Sequence, residues 1–155
     1  MARVLLVDHK SLIREHVHAV LMRDGIDVCG EASDGRQGIE EARRLKPDIV
    51  ILDYSMPDLT GVQVAYEIRQ FLSNVRIVFF TIHDEAIISS AARVVGADAF
   101  VSKSSIGELV LAVRRLAEEK GSVGLGAATV TSVPDSPPHN AAAKRASASP
   151  GIASK

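Results

Sequence analysis

Cysteine is nearly absent. Cys29 is the only one in the chain, so no internal disulfide can form, and a reducing compartment is the simpler setting. The lone thiol reads as a small buried residue. An excess of charge of either sign is also lacking: 18 Lys and Arg stand against 19 Asp and Glu, a formal net charge of -1, which argues against wholesale binding of nucleic acid. No apolar stretch has the length of a membrane span. Met1 to Val7 offers too few apolar residues for a signal-peptide core, and the expected location is cytoplasmic, with no membrane partner. Internal repeats are missing as well. What remains, 155 residues with 46% hydrophobic and 24% charged, suits one ordinary globular domain with room for a tail.

Short apolar runs dominate residues 1–120. Val4 to Val7 and Ile49 to Leu52 are unbroken and apolar, as expected for strands covered on both faces. Arg76 to Thr81 and the shorter Asp98 to Lys103 read as two more. Ile26 to Ala32 is interrupted by polar residues and is placed at a sheet edge. Helical spacing separates them: Ile13, Val17, Val20 and Leu21 share one face, as do Val64, Ile68, Phe71 and Leu72. Further inward faces are Ile88, Ala91, Ala92 and Val95, then Ile106, Leu109, Val110, Val113, Leu116 and Ala117. Start signals precede these helices: Asp34 with Gln37, Thr60 with Gln63, Asp84, and Ser105 with Glu108. Gly25, Lys46-Pro47 and Gly96 are the stops.

Five strands alternating with five helices imply right-handed crossovers and a doubly wound α/β fold. Its parallel sheet carries helices on both faces, in flavodoxin-like order 2-1-3-4-5. Residues 121–155 differ in kind: 22 of these 35 are Gly, Pro, Ser or Ala, and none is aromatic. Such a segment cannot bury enough apolar surface to offset its ordering entropy, so a disordered Ala/Ser/Gly/Pro-rich tail is expected. It holds no hydrophobic pattern for a helix-turn-helix, and direct DNA binding is not expected.

Parallel strands bring their C-terminal ends to one edge of the sheet, and four of the five end in polar residues: Asp8, Asp53, Thr81 and Lys103. In the order 2-1-3-4-5 the first and third strands flank the switch point, which sets Asp8 beside Asp53. Carboxylates, a hydroxyl and an ammonium around one crevice suit a hard metal and a phosphoryl group. A carboxylate can also accept a phosphoryl group, forming an acyl phosphate.

Val4-Leu5-Leu6-Val7-Asp8, Asp53-Tyr54-Ser55-Met56-Pro57-Asp58-Leu59-Thr60-Gly61, Thr81 and Phe100-Val101-Ser102-Lys103 together resemble the receiver domain of two-component response regulators. The resemblance covers residues 2 to about 118, and its most specific piece is the D-x-x-M-P-x-x-x-G pattern from Asp53. It implies a phosphorelay role: Asp53 as phosphoacceptor, and Asp8, Asp53 and the Ser55 backbone carbonyl around Mg²⁺ or Mn²⁺. Thr81 and Lys103 would contact the phosphoryl group, and Phe100 would be the aromatic that changes rotamer. The implied partners are a histidine kinase or phosphotransfer protein, then a second copy or a downstream protein target. Independent substrate turnover is not expected.

One position departs from the family. Receivers usually carry two consecutive acids after the first strand, and here the second is His9. Imidazole matches Mg²⁺ poorly and removes a negative charge, so cation binding is weakened. His9 is read as a solvated loop residue in preference to a ligand. Two alternatives remain open: a phosphorylation-independent pseudo-receiver binding module, or a DNA-binding regulator lacking its output domain. Ser104 stands where many receivers have Pro, so no cis peptide is expected there. His16 and His18 do not share a helix face, which argues against a metal site on that helix.

Overall fold

Each of the five apolar runs becomes a strand. The computed structural model describes residues 1–83 and 85–121, the side chains of 85–89 and 120–121 excepted. The strands are β1 (Arg3–Val7), β2 (Asp27–Ala32), β3 (Ile49–Leu52), β4 (Arg76–Thr81) and β5 (Ala99–Ser102). They alternate with α1 (Ser11–Arg23), α2 (Gly35–Leu45), α3 (Gly61–Phe71), α4 (Glu85–Val94) and α5 (Ile106–Gly121). All pairings are parallel, and the sheet order is β2-β1-β3-β4-β5, as the alternation implied. The expected Asp84 cap and the tail beyond Gly121 lie outside the described residues.

The central strands are apolar on both faces because both faces are covered. Leu5, Val7, Val50, Leu52, Ile77 and Phe79 face one core, which Val64 and Ile68 of α3, Ala92 of α4 and Val95 just beyond it complete. Val4, Leu6, Ile49, Ile51, Val78 and Phe80 face the other, closed by Val17 and Leu21 of α1 and Leu109, Val113 and Leu116 of α5. The side-chain period of two along each strand makes this division.

Local signals behave largely as expected. Thr60 and Gln63 form the full reciprocal cap of α3, with the Gln63 amide donating to Thr60 Oγ1 at 3.2 Å and Gln63 Oε1 accepting from the Thr60 amide at 2.9 Å. Asp34 caps α2 through the Gln37 amide at 2.8 Å. The return bond lands one residue upstream, where Gln37 Oε1 accepts from the Ser33 amide at 2.6 Å. Lys46 ends α2 in the left-handed region, φ 49°, just before Pro47. β2 lies at the edge and carries a bulge: Val4 pairs with Val28 but Leu5 with Gly30, which leaves Cys29 over. Cys29 is half-buried rather than fully buried, and burial pushes its thiol above the ordinary value. Among the described residues no peptide bond is cis.

The ladders continue one residue past the strand ends. The Asp8 amide donates to Ala32 O at 3.1 Å, the Asp53 amide to Val7 O at 3.0 Å, and the Lys103 amide to Thr81 O at 3.0 Å. With Val7 paired to Leu52, Asp8 and Asp53 leave neighbouring strands at the same level.

Candidate functional site

Four residues from the strand ends meet in one cluster. Asp8 and Asp53 are 5% and 4% exposed, so two carboxylates stand nearly out of water side by side. Such a pair needs cationic partners. Lys103 supplies one: its Nζ lies 2.6 Å from Asp8 Oδ2 and 3.3 Å from Asp53 Oδ2. Its side chain is itself 8% exposed. His9 supplies the other group, with Nδ1 3.4 Å from Asp53 Oδ2 and 4.0 Å from Asp8 Oδ1. His9 is an exposed loop residue, as expected, and the imidazole keeps 34% of its side-chain surface in water while its Nδ1 faces the carboxylates.

Backbone donors fix the acids. The Ser55 amide donates to Asp53 Oδ1 at 3.3 Å and the Lys10 amide to Asp8 Oδ1 at 2.9 Å. Below the cluster the space is lined by Ile13, Val17, Ile51 and Phe80, an apolar floor that keeps charge interactions weakly screened. The loop after Asp53 closes tightly on α3, with the Gly61 amide donating to Tyr54 O at 2.6 Å. A Cβ at Gly61 would lie 2.5 Å from the Asp53 carbonyl oxygen, so only glycine fits.

Thr81 and Phe100 flank the cluster without joining its ion pairs. Thr81 is 3% exposed at the end of β4, and its Oγ1 accepts from the His83 amide at 3.1 Å, which leaves the hydroxyl proton to donate elsewhere. Phe100 on β5 stacks on Phe79 with centroids 5.8 Å apart. Phe79 in turn meets Tyr54 edge-on at 6.3 Å, a chain of rings from the Asp53 loop to β5. His83 also packs edge-on against Tyr54 at 5.5 Å.

The supporting roles of two residues escaped the sequence reading. Arg14 Nη1 donates to the Asp8 carbonyl at 2.6 Å while its Nε reaches Glu31 Oε1 at 3.2 Å, tying α1 and β2 to the loop that carries Asp8 and His9. The signal was a basic residue one turn before the buried Val17 and Leu21. Asp58 accepts from the Gly35 and Arg36 amides, each at 2.9 Å, and so ties the Asp53 loop to the start of α2. Burial alone would raise its carboxyl, but these amides and that of Leu59 outweigh it and hold the group below the ordinary 3.8.

The clustered donors are Asp8, His9 and Asp53, each offering an atom within 4.8 Å of the others. Mg²⁺ takes oxygen ligands, commonly one or two carboxylates with water, so Asp8 and Asp53 suit it and the His9 nitrogen does not. One donor is nitrogen, and the Lys103 ammonium is already paired with both carboxylates.

A family model, the response regulator receiver domain, matches residues 4–114. The nitrate/nitrite response regulator protein NarL of Escherichia coli is 37% identical over 105 residues, covering 66% of this chain and 48% of that protein. The chemotaxis protein CheY of Thermotoga maritima is 33% identical over 101 residues, 65% of this chain and 84% of its own. Among solved structures, the chemotaxis protein CheY4 of Vibrio cholerae superposes with a TM-score of 0.70 at 28% identity, over 75% of this chain and 98% of that one. The chain spans about half the length of curated relatives of the NarL type.

Proposed function

The chain belongs to the response regulator receiver domain family, and from that premise we propose that Asp53 accepts a phosphoryl group from a histidine kinase or phosphotransfer protein and thereby switches a protein-binding surface. Receiver domains of this family act in two-component signalling, meet such phosphodonors and downstream targets, and typically bind Mg²⁺. The observation that carries the reading is the pairing of buried Asp53 with Lys103 across 3.3 Å, at the C-terminal edge of a parallel sheet.

In the proposed step a carboxylate oxygen of Asp53 attacks phosphorus. The new O–P bond forms as the N–P bond of the donor phosphohistidine breaks, and the electron pair stays on the donor imidazole. Lys103 neutralises charge that grows on the phosphoryl oxygens. The Thr81 hydroxyl, whose proton is free, donates to one of them, and Phe100 then repacks against Phe79. A phosphoryl group adds about 1.5 to 2 negative charges and three strong acceptors, enough to reorder hydrogen bonds around Lys103 and Thr81. No step is routed through a resident metal.

The readout surface is apolar and protein-facing in this reading, with a second copy or a separate target as the partner. Val94 on α4 is 83% exposed and Leu111 on α5 65%. The Ile87 side chain, on the same helix, lies outside the described residues. No helix among the described residues is long and apolar enough to cross a membrane.

The test is mass spectrometry after incubation with acetyl phosphate and Mn²⁺ or Mg²⁺. One phosphoryl adduct is expected on the full chain and none on Asp53→Asn. An adduct that persists in Asp53→Asn, or that never forms even with His9→Asp, refutes Asp53 as acceptor.

A further inference from the structure

The mismatch between the site and Mg²⁺ has a positive counterpart in the donor atoms themselves. Asp8, His9 and Asp53 offer two carboxylate oxygens and one imidazole nitrogen, mutually within 4.8 Å. An ion with bonds of about 2.1 Å to nitrogen and oxygen would see His9 Nδ1 and Asp53 Oδ2, 3.4 Å apart, at an angle near 110°. His9 Nδ1 and Asp8 Oδ1, 4.0 Å apart, would subtend about 145°. The first is the angle of a tetrahedral site; the second is wider than tetrahedral and requires Asp8 to shift toward the ion.

We infer that Asp8, His9 and Asp53 form a mixed nitrogen and oxygen site that takes a divalent first-row transition ion, from Mn²⁺ through Zn²⁺, in preference to Mg²⁺. The inference rests on the reading of this strand edge as the acceptor site and deepens it by naming the ion class. Two groups of this chain bear on which ion it takes. His9 replaces a carboxylate, which removes one negative charge and substitutes a donor that Zn²⁺ and its neighbours favour. Lys103 lies 2.6 Å from Asp8 Oδ2 and 3.3 Å from Asp53 Oδ2, so any ion must offset an ammonium already seated there. An ion that gains from the imidazole offsets that charge better than Mg²⁺, which sheds its water reluctantly and prefers oxygen.

The two features act differently, and that separates them in experiment. Lys103 opposes every cation through charge, so Lys103→Met tightens Mg²⁺ and Mn²⁺ alike and leaves their ratio unchanged. His9 acts through donor identity, so His9→Asp shifts the ratio toward Mg²⁺.

The experiment uses the full chain without phosphodonor. Mn²⁺ binding is read from loss of the free-ion electron paramagnetic resonance signal, with Mg²⁺ and Zn²⁺ as competitors. Spin-echo modulation reports nitrogen coupled to the bound Mn²⁺. The expected result is nitrogen coupling in the wild type, lost in His9→Ala, with Zn²⁺ displacing Mn²⁺ readily and Mg²⁺ needing at least about tenfold excess. His9→Asp should reduce that excess about tenfold, and circular dichroism confirms that each variant is folded. Equal competition by Mg²⁺, coupling that survives in His9→Ala, or no Mn²⁺ binding at millimolar ion overturns the inference. Adduct formation on Asp53 is followed by mass in parallel samples. A nitrogen-coupled ion without any adduct refutes the acceptor reading alone, and an adduct without nitrogen coupling refutes the ion class alone.

Discussion

Gly61→Ala is the perturbation that bears most directly on how the loop holds Asp53. An added Cβ would meet the Asp53 carbonyl oxygen at 2.5 Å, Phe79 Cε1 at 2.8 Å and Tyr54 Cα at 2.9 Å. Two of those three atoms are backbone and cannot swing away, so the loop itself must move. Overpacking of this kind costs about 1–3 kcal/mol. Alanine would recover up to about 1 kcal/mol of helix propensity in a helix interior, but Gly61 is the first residue of α3, where less is gained. The net expectation is a loss of about 1–2 kcal/mol, or roughly 4–8 °C in Tm for a domain of this size. Gly107→Ala near the start of α5 is the control: nothing lies within 4 Å of its Cβ position, so it should raise stability by about 0.5 kcal/mol. Thermal melts by circular dichroism read both. Gly61→Ala should also slow adduct formation at Asp53, because the displaced carbonyl belongs to that residue. A Gly61→Ala protein that melts at or above the wild type refutes the argument from close approach.

Lys103→Met removes the ammonium from two carboxylates that are at most 5% exposed, and should cost about 3 kcal/mol in urea denaturation; a loss below about 1 kcal/mol would show that the pair does not depend on it. Asp58→Ala releases the amides of Gly35 and Arg36 and should destabilise the protein at neutral pH. Since the native Asp58 carboxyl is held below its ordinary 3.8, its contribution is complete above that pH and fades as pH falls through the depressed value. The gap between wild type and Asp58→Ala should therefore narrow below pH 3.8, and a gap that widens there would refute the assigned cause.

Much of this molecule was legible in its residues because each step rests on local periodicity. The unbroken Ile49 to Leu52 run, the polar-interrupted β2 and the Thr60 and Gln63 cap all came through at their expected places. Strand-end chemistry then followed from the sheet order, which alone brings Asp8 to Asp53. What stayed hidden depends on side-chain reach. Gln37 closes its cap on Ser33 rather than on Asp34, a choice of one residue that no pattern encodes. Arg14 spans from α1 to the Asp8 carbonyl, and Asp58 from one loop to the start of another helix, contacts between segments far apart in the chain. His9 looked like a solvated loop residue and is exposed, but only the path of the loop sets its Nδ1 within 3.4 Å of Asp53 Oδ2.

The division of the sheet's two faces has a mechanical consequence for β5. Phe100 and Val101 are consecutive, so they point to opposite sides: Phe100 packs with Phe79 on the face of α3 and α4, while Val101 is pinned, 5% exposed, among Phe80, Leu109 and Val113 on the face of α1 and α5. The strand is thus nailed down from behind at the residue next to its one ring. Turning Phe100 disturbs one layer of the sandwich and leaves the other as a fixed backing plate, so a rearrangement begun at the sheet edge is delivered to one side of the domain only.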